Sequence, residues 1–137
     1  MKKAVYAVFD TNVLVSALLS KRFDSQTVVL LDYVVDGDVI LLYNEEILAE
    51  YKEVLHRPKF GFDEADIQTV LELVRSGLCL DRTASNELFL DEEDAVFYEV
   101  AISKDDAFLV TGNLRHFPRT YRVVSPAQML EIINFMA

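Results

Sequence analysis

Short apolar segments alternate along this 137-residue chain with longer segments of helical periodicity, and this alternation constrains the fold more than any other feature. Most of the short segments are continuous apolar runs, which is the pattern of strands buried on both faces of a parallel sheet. We predict strands at 4–9, 39–43, 78–80, 108–110 and 121–124, and helices at 13–19, 26–35, 45–55, 64–76, 92–103 and 127–135. Strands and helices in this order predict an α/β fold with three α/β/α layers around a central, mainly parallel sheet.

Residues that favour helix ends support these boundaries. Asn44 and Asp63 are the predicted N-caps of the third and fourth helices, and Gly77 is the predicted C-cap of the fourth. Ser125 and Pro126 provide a cap and a first-turn proline for the last helix. Because no linker, repeat or low-complexity segment interrupts the pattern, we expect residues 1–137 to form a single domain.

The cysteine content and the N-terminus predict a cytoplasmic protein with no membrane partner. Cys79 is the only cysteine, so no disulfide can form within the chain, as is typical of a reducing cytosol. Lys2 and Lys3 precede a short apolar run that Asp10 interrupts, which indicates a first strand rather than a signal peptide. The longest apolar stretches are far shorter than the ~18 residues that a membrane span needs.

The chain is strongly acidic, with 23 Asp and Glu residues against 13 Lys and Arg residues and a formal net charge of −10. This charge argues against a general nucleic-acid coat protein, because phosphate backbones attract net positive charge. The acidic excess predicts either a solvated surface or a place where carboxylates gather around cations.

Two acidic positions lie where predicted strands meet predicted helices. Asp10 directly follows the first strand, and the acidic run from Asp91 to Asp94 opens the helix that leads to the fourth strand. In parallel α/β sheets, ligands bind beyond the carboxyl ends of the strands. Both positions also have a purely structural interpretation, since Asp is a favoured N-cap and the helix dipole favours acidic residues in a first turn.

Glu50 and Asn113 are two further candidates for the same edge of the sheet. Helical periodicity places Glu50 nearest to the apolar face among the acidic residues of its helix, although an ordinary exposed glutamate is the alternative. Asn113 follows the fourth strand after Thr111 and Gly112, in a segment that suits a ligand site and a plain turn equally well.

The candidate side chains carry oxygen donors of the kind that bind hard cations. Carboxylate and amide oxygens suit Mg²⁺ or Mn²⁺. His56, His116 and Cys79 lack the spacing of a zinc site. We therefore predict a cleft for Mg²⁺ or Mn²⁺ formed by Asp10, Glu50, Asp94 and Asn113.

Four segments, in this order, resemble the motifs of PIN-domain ribonucleases. DTNVLVSAL begins at Asp10, EILAEYKEVL begins at Glu46, DEEDAVF begins at Asp91, and LVTGN ends at Asn113. The chain is similar to the branch described as toxin components of bacterial and archaeal toxin–antitoxin pairs. The resemblance implies a PIN-like fold, Mg²⁺- or Mn²⁺-dependent hydrolysis of single-stranded RNA, an antitoxin partner and a homodimer.

Carried over position by position, the resemblance implies that Asp10, Glu50 and Asp94 are metal ligands. The fourth position of the family motif is usually Asp and falls here on Asn113, which removes one negative charge. Supporting roles around the metal fall on Thr11, Asn12, Asp91 and Thr111. The implied reaction is attack on phosphorus by water that a bound cation activates, leaving 5′-phosphate and 3′-hydroxyl ends.

Basic residues cluster after two of the candidate ligands. The 24 residues from Ala107 to Leu130 contain no Asp or Glu, and a second basic cluster follows Glu50. Phe60 and Phe62 lie beside the second cluster, and Phe117 and Tyr121 lie within the acid-free stretch; stacking combined with backbone contacts is how proteins hold single strands. Solvated faces with core aromatic residues are the alternative. The predicted RNA-binding residues are Lys52, Arg57, Lys59, Arg115 and Arg119.

A binding module without catalysis is the main alternative function. Asn113 in place of an acid weakens the predicted metal site, and such a module would act through an antitoxin or a homodimer interface. A haloacid-dehalogenase-type phosphatase is disfavoured, because it requires a second Asp two residues after the first, where this chain has Asn12.

Overall fold

The computed structural model describes residues 3–136. Three residues lie outside this range: Met1, Lys2 and Ala137. Both ends of the predicted 1–137 domain therefore lie outside the described residues, as does Lys2, which precedes the predicted first strand. The strands of the described part are β1 (Val5–Phe9), β2 (Val39–Tyr43), β3 (Leu78–Cys79), β4 (Ala107–Val110) and β5 (Val123–Val124). Its helices are α1 (Thr11–Leu19), α2 (Gln26–Val35), α3 (Glu45–Leu55), α4 (Glu64–Arg75), α5 (Ala95–Ala101) and α6 (Pro126–Met136).

The strands form one sheet in the order β3-β2-β1-β4-β5, and every neighbouring pair is parallel. Helix α2 packs against α1 and α6, whereas α3 packs against α4 and α5, so helices cover both faces of the sheet. The predicted three-layer α/β/α fold is confirmed. The strand order reverses at β1, which pairs with β2 on one side and β4 on the other, and such a reversal opens a crevice at the carboxyl ends of the strands.

The core lies in the middle of this sandwich, and its largest members come from the sheet and from the helices on one face. Phe9 of β1, Tyr51 of α3 and Phe97 of α5 are each at most 1% exposed. The Tyr51 hydroxyl donates a hydrogen bond to the Phe9 carbonyl, which ties α3 to the end of β1. Within residues 3–136, no helix is both long enough and apolar enough to cross a bilayer.

Local hydrogen bonds explain where elements differ from the predicted boundaries. Helix α1 begins two residues earlier than predicted, at Thr11, whose N–H donates to the Asp10 carboxylate at 2.9 Å. The predicted helix 92–103 starts as a 3₁₀ turn over Glu92–Asp94, and α5 follows from Ala95 to Ala101. The Asp91 carboxylate accepts the Glu93 N–H at 3.0 Å and stabilises that tighter turn.

The strand predicted at 121–124 is shorter in the structure, covering only Val123–Val124. The Arg122 guanidinium donates hydrogen bonds of 3.0, 3.1 and 3.0 Å to the carbonyls of Ala101, Lys104 and Ala107. These bonds hold the chain at the amino end of the sheet before it enters β5.

The structure agrees with some of the predicted helix caps and differs from others. Asn44 caps α3 as predicted, with its side-chain oxygen accepting the Ile47 N–H at 2.9 Å. Asp63 occupies the N-cap position of α4 but makes no capping hydrogen bond. The prediction that Gly77 is the C-cap of α4 is wrong, because Ser76 is the C-cap and Gly77 has no positive φ. Gly77 serves close packing instead, since a Cβ there would lie 2.0 Å from the Leu41 carbonyl oxygen of β2.

Candidate active site

Asp10 lies at the carboxyl end of β1, beside the end of β4, and is only 8% exposed. Its Oδ2 accepts hydrogen bonds from the Thr111 hydroxyl at 2.7 Å and from Asn12 Nδ2 at 3.1 Å. Burial is the largest influence on its pKa and raises it, and the nearby charge of Asp94 raises it further against the opposing effect of the Thr111 bond. Asp10 is thus a buried carboxylate held in one orientation by Thr111, Asn12 and the Thr11 N–H.

Glu50 lies on α3 next to the buried Tyr51 and is half-buried. Its Oε2 accepts a hydrogen bond of 2.6 Å from the Thr11 hydroxyl, so Thr11 connects α1 to this carboxylate. Burial raises the pKa of Glu50, and the charges of Asp10 and Glu93 raise it further. The helix therefore brings a second carboxylate to the edge where Asp10 lies.

Asp94 ends the 3₁₀ turn that precedes α5, and its side chain is 18% exposed. Its Oδ2 lies 3.2 Å from His116 Nδ1, on the segment that follows β4. Burial raises the pKa of Asp94, and the charges of Asp91 and Glu50 act in the same direction, while His116 opposes them.

The three carboxylates influence one another across elements that are far apart in sequence. Asp94 raises the pKa of Asp10, Asp10 raises that of Glu50, and Glu50 raises that of Asp94. A cleft of about 310 Å³ lies at this place. Its polar lining consists of Thr11, Asn12, Glu50, Arg57, Asp91, Glu93 and Asp94. The structure therefore brings Asp10, Glu50, Asp94 and the predicted supporting residue Asp91 to one region.

Asn113 is not among the residues that line this cleft. It lines a neighbouring pocket of about 540 Å³, together with Gly112 and residues of α1 and α2. Its backbone N–H donates to the Thr111 hydroxyl at 2.9 Å, and that hydroxyl in turn donates to Asp10. Asn12 lines both pockets and accepts the Gly112 N–H at 3.1 Å. Thr111 and Asn12 are thus the contacts between Asp10 and the segment carrying Asn113.

Two residues of this region were not among the predicted site residues. His116 contacts Asp94, although its place in the sequence was considered only to exclude a zinc site, and Glu93 lines the cleft within the acidic run. The short interval between Asn113 and His116 was the available signal for His116. For Glu93 there was none, because every residue of an acidic run has the same chemistry and only the turn decides which one faces the cleft.

The two predicted basic clusters differ in how strongly their residues are already engaged. Arg57 borders the acidic cleft and forms an ion pair with Glu53 at 2.8 Å, and Lys59 lies 5.1 Å from the centre of the Phe60 ring. Lys52 is exposed on α3. Arg115 and Arg119 line a separate groove, while the aromatic residue between them, Phe117, is buried and 6% exposed.

The donor set fits a hard cation, although the carboxylates are not gathered tightly around one point. Among residues 3–136, no group of three or more His, Cys, Asp or Glu side chains lies close enough to hold an ion as it stands. The Glu50 and Asp94 carboxylates instead contact Thr11 and His116. Three partly buried carboxylates that raise one another's pKa nevertheless form a region that a divalent cation would neutralise.

The fold and the cleft define a class of protein: a parallel α/β/α domain with a cluster of carboxylates where the strand order reverses. The sequence model described as PIN domain matches residues 6–115, which is most of the chain. The protein therefore belongs to the PIN domain family, whose members are generally nucleases that use divalent metal ions. No curated protein and no solved structure gives a significant match to the chain.

Proposed function

We propose that the protein is a metal-dependent endoribonuclease that hydrolyses phosphodiester bonds of single-stranded RNA. The observation that carries this proposal is that Glu50 and Asp94 line one cleft at the carboxyl edge of the sheet, beside the buried Asp10 at the end of β1, in a PIN-domain chain. The Mg²⁺ or Mn²⁺ that these carboxylates would bind supplies charge neutralisation and an activated water. The same proposal makes the protein the cytoplasmic toxin of a toxin–antitoxin pair and a homodimer.

Different residues of the chain would hold that cation and the substrate. Asp10, Glu50 and Asp94 would supply the anionic oxygens, with Asp91 as a supporting ligand at the exposed side. Thr11, Asn12 and Thr111 donate hydrogen bonds that hold these carboxylates in place. Arg57 borders the cleft where a phosphate would lie, and its guanidinium forms an ion pair with Glu53 at 2.8 Å.

Cleavage of labelled RNA tests this function against the binding-module alternative. Single-stranded RNAs of several sequences, and one duplex, are incubated with Mg²⁺, with Mn²⁺ or with EDTA. We expect cleavage of the single strands with either ion, products with 5′-phosphate ends, and no cleavage in EDTA. A folded protein that cleaves none of the RNAs would favour the binding module, and co-purification with the product of a neighbouring open reading frame would test the antitoxin partner.

We expect Glu50→Gln to stabilise the metal-free protein at neutral pH. The pKa of Glu50 is raised in the folded state, so its ionisation disfavours folding. This penalty is absent below the ordinary carboxyl pKa and grows as pH rises through the folded-state pKa. Glutamine keeps an oxygen to accept the Thr11 hydroxyl without the charge. Thermal unfolding in EDTA is expected to give a higher Tm for the variant at pH 7 and equal values near pH 4 (roughly the Glu reference value).

Glu72→Gln is the matched control for that experiment, because Glu72 is an exposed acid on α4. It removes the same formal charge and is expected to leave the pH dependence of Tm unchanged. Saturating Mn²⁺ should reverse the order, stabilising the wild type more than Glu50→Gln. A Glu50→Gln protein less stable than the wild type at pH 7 in EDTA would contradict the prediction.

We expect His116→Ala to weaken Mn²⁺ binding by about tenfold, the usual effect of removing a hydrogen-bond partner of a metal ligand. His116 contacts one oxygen of Asp94 and thereby orients the carboxylate. His116→Asn places an amide nitrogen close to the position of Nδ1 and should retain most of the affinity. Calorimetric titration of the metal-free protein with Mn²⁺ measures both variants without relying on RNA cleavage.

His56→Ala is the control for the histidine variants. His56 forms a similar pair with a carboxylate, since its Nε2 lies 2.9 Å from Glu64, but that pair is at the surface of α3 and α4. Its loss should leave Mn²⁺ affinity unchanged. Equal Mn²⁺ affinity in His116→Ala and the wild type would exclude an orienting role for His116.

A further inference from the structure

A groove of about 770 Å³ adjoins the acidic cleft. Leu90 lines the groove and directly precedes Asp91, which lines the cleft. Arg115 also lines the groove, and the next residue, His116, contacts Asp94. Residues adjacent in the chain therefore line or flank the two depressions, which places the groove beside the cleft.

Arg115 and Arg119 are exposed and face this groove. Within residues 3–136, neither forms an ion pair or a hydrogen bond, whereas Arg22, Arg57 and Arg82 are each paired with a carboxylate. A chain with a net charge of −10 has abundant acids to pair with them. Two arginines left without a carboxylate on one groove form a local site for anions.

The same groove carries exposed apolar and aromatic surface. Tyr121 is 76% exposed, and Leu90 on the groove wall is 82% exposed. Leu114 adds a third partly exposed apolar side chain. A flat aromatic ring beside guanidinium groups is the combination on which nucleobases stack while their phosphates are bound.

From these observations we infer that the groove binds the unpaired nucleotides of single-stranded RNA on one side of the scissile phosphate. The inference rests on the proposed ribonuclease function, because an RNA strand held in the cleft must continue past it. The exposed Tyr121 ring beside two arginines favours RNA over a peptide, since a base can stack on the ring while the guanidinium groups bind its phosphates. Arg57, at the other rim of the cleft, is already engaged with Glu53 and offers less to a strand leaving on that side.

Binding of a fluorescent 12-nucleotide single-stranded RNA, followed by anisotropy in Mg²⁺, tests the groove. All proteins carry Asp10→Asn so that the RNA stays intact. Arg119→Ala and Tyr121→Ala are each expected to raise Kd by about tenfold. Arg119→Ala should also lower the slope of log Kd against log salt by about 0.7, the value for one phosphate contact on a single strand, whereas Tyr121→Ala leaves that slope unchanged.

Two variants serve as matched controls. Arg75→Ala removes an exposed arginine at the end of α4, outside the groove, and Tyr121→Phe keeps the stacking ring. Both should bind RNA within about twofold of the reference protein. In protein with native Asp10, turnover of the small diester bis(p-nitrophenyl) phosphate, which does not reach the groove, reports on the catalytic site alone and should be the same for Arg75→Ala and the wild type.

The possible results distinguish a failure of the groove inference from a failure of the proposed function. Unchanged RNA affinity in Arg119→Ala and Tyr121→Ala overturns the groove inference, even if the wild type cleaves RNA. Weakened affinity in both, with no hydrolysis of RNA or of the small diester by the wild type, keeps the groove as an RNA site and overturns the ribonuclease. A third result is unchanged RNA affinity in both variants together with a change from dimer to monomer, measured by light scattering. This result would make the groove an interface between copies of the chain and would overturn the inference.

Discussion

Asp10→Asn is expected to lower kcat/KM for RNA cleavage by about 10³-fold or more while the protein stays folded. Asp10 is the most deeply buried of the three carboxylates and receives hydrogen bonds from Thr11, Asn12 and Thr111. Asparagine keeps the size of the side chain and an oxygen for the Thr11 N–H, but it removes the charge that a cation needs. Loss of the several kcal/mol that a bound metal contributes to the transition state corresponds to this fall in rate.

Single-turnover cleavage of a labelled RNA measures the rate, and calorimetric titration with Mn²⁺ measures the expected loss of metal affinity. Asp36→Asn is the matched control, because Asp36 is an exposed acid at the end of α2, outside the cleft. It should leave both quantities unchanged. If Asp10→Asn and the wild type cleave several RNAs at the same rate, the nuclease proposal is wrong at its central residue.

Gly77→Ala is expected to reduce the free energy of unfolding by about 3 kcal/mol or more, in the upper range for added atoms in a packed site. An added Cβ would lie 2.0 Å from the Leu41 carbonyl oxygen and 2.9 Å from the carbonyl carbon. Both atoms belong to the backbone of β2, a central strand, so no side chain can move aside. The end of α4 or the strand itself must shift instead, at the expense of the core between them.

Urea denaturation measures this effect, and a fall in Tm of about 10 °C should accompany it. Gly61→Ala is the comparison, because Gly61 has a positive φ of 63° but nothing within 4 Å of an added Cβ. That substitution carries only the strain of a left-handed backbone, about 1 kcal/mol. Equal destabilisation by the two substitutions would mean that the chain relaxes around Gly77 and that the close approach is not required.

The elements and the fold class could be predicted because their signals are local. Helices 26–35 and 45–55 and strand 39–43 agree with the structure at both ends. Each has a continuous periodicity bounded by a cap or a turn residue. The start of α5 could not be predicted in the same way, since the segment before it is a 3₁₀ turn capped by Asp91, which has no periodicity of its own.

The candidate site could be predicted only in part. Asp10 and Thr111 each follow a predicted strand, so their place at the carboxyl edge of the sheet was predictable, although their contact also requires β1 and β4 to be neighbours. The contact between Asp94 and His116 was not, because it depends on how the 3₁₀ turn faces the segment after β4. The position of Asn113 could not be predicted either. Its backbone N–H donates to the Thr111 hydroxyl, and the residue lines the neighbouring pocket.

The sequence by itself determined the order and type of the elements, the parallel sheet and the edge where the carboxylates lie, since periodicity and caps act over a few residues. Only the tertiary structure decided which side chains meet across that edge, why residue 77 is glycine, and which arginines remain without a carboxylate partner among residues 3–136. These features depend on distances between segments up to about 100 residues apart, such as Asp10 and Thr111, which are separated by 101 positions. Packing of the helices against the sheet sets those distances, and no local pattern encodes them.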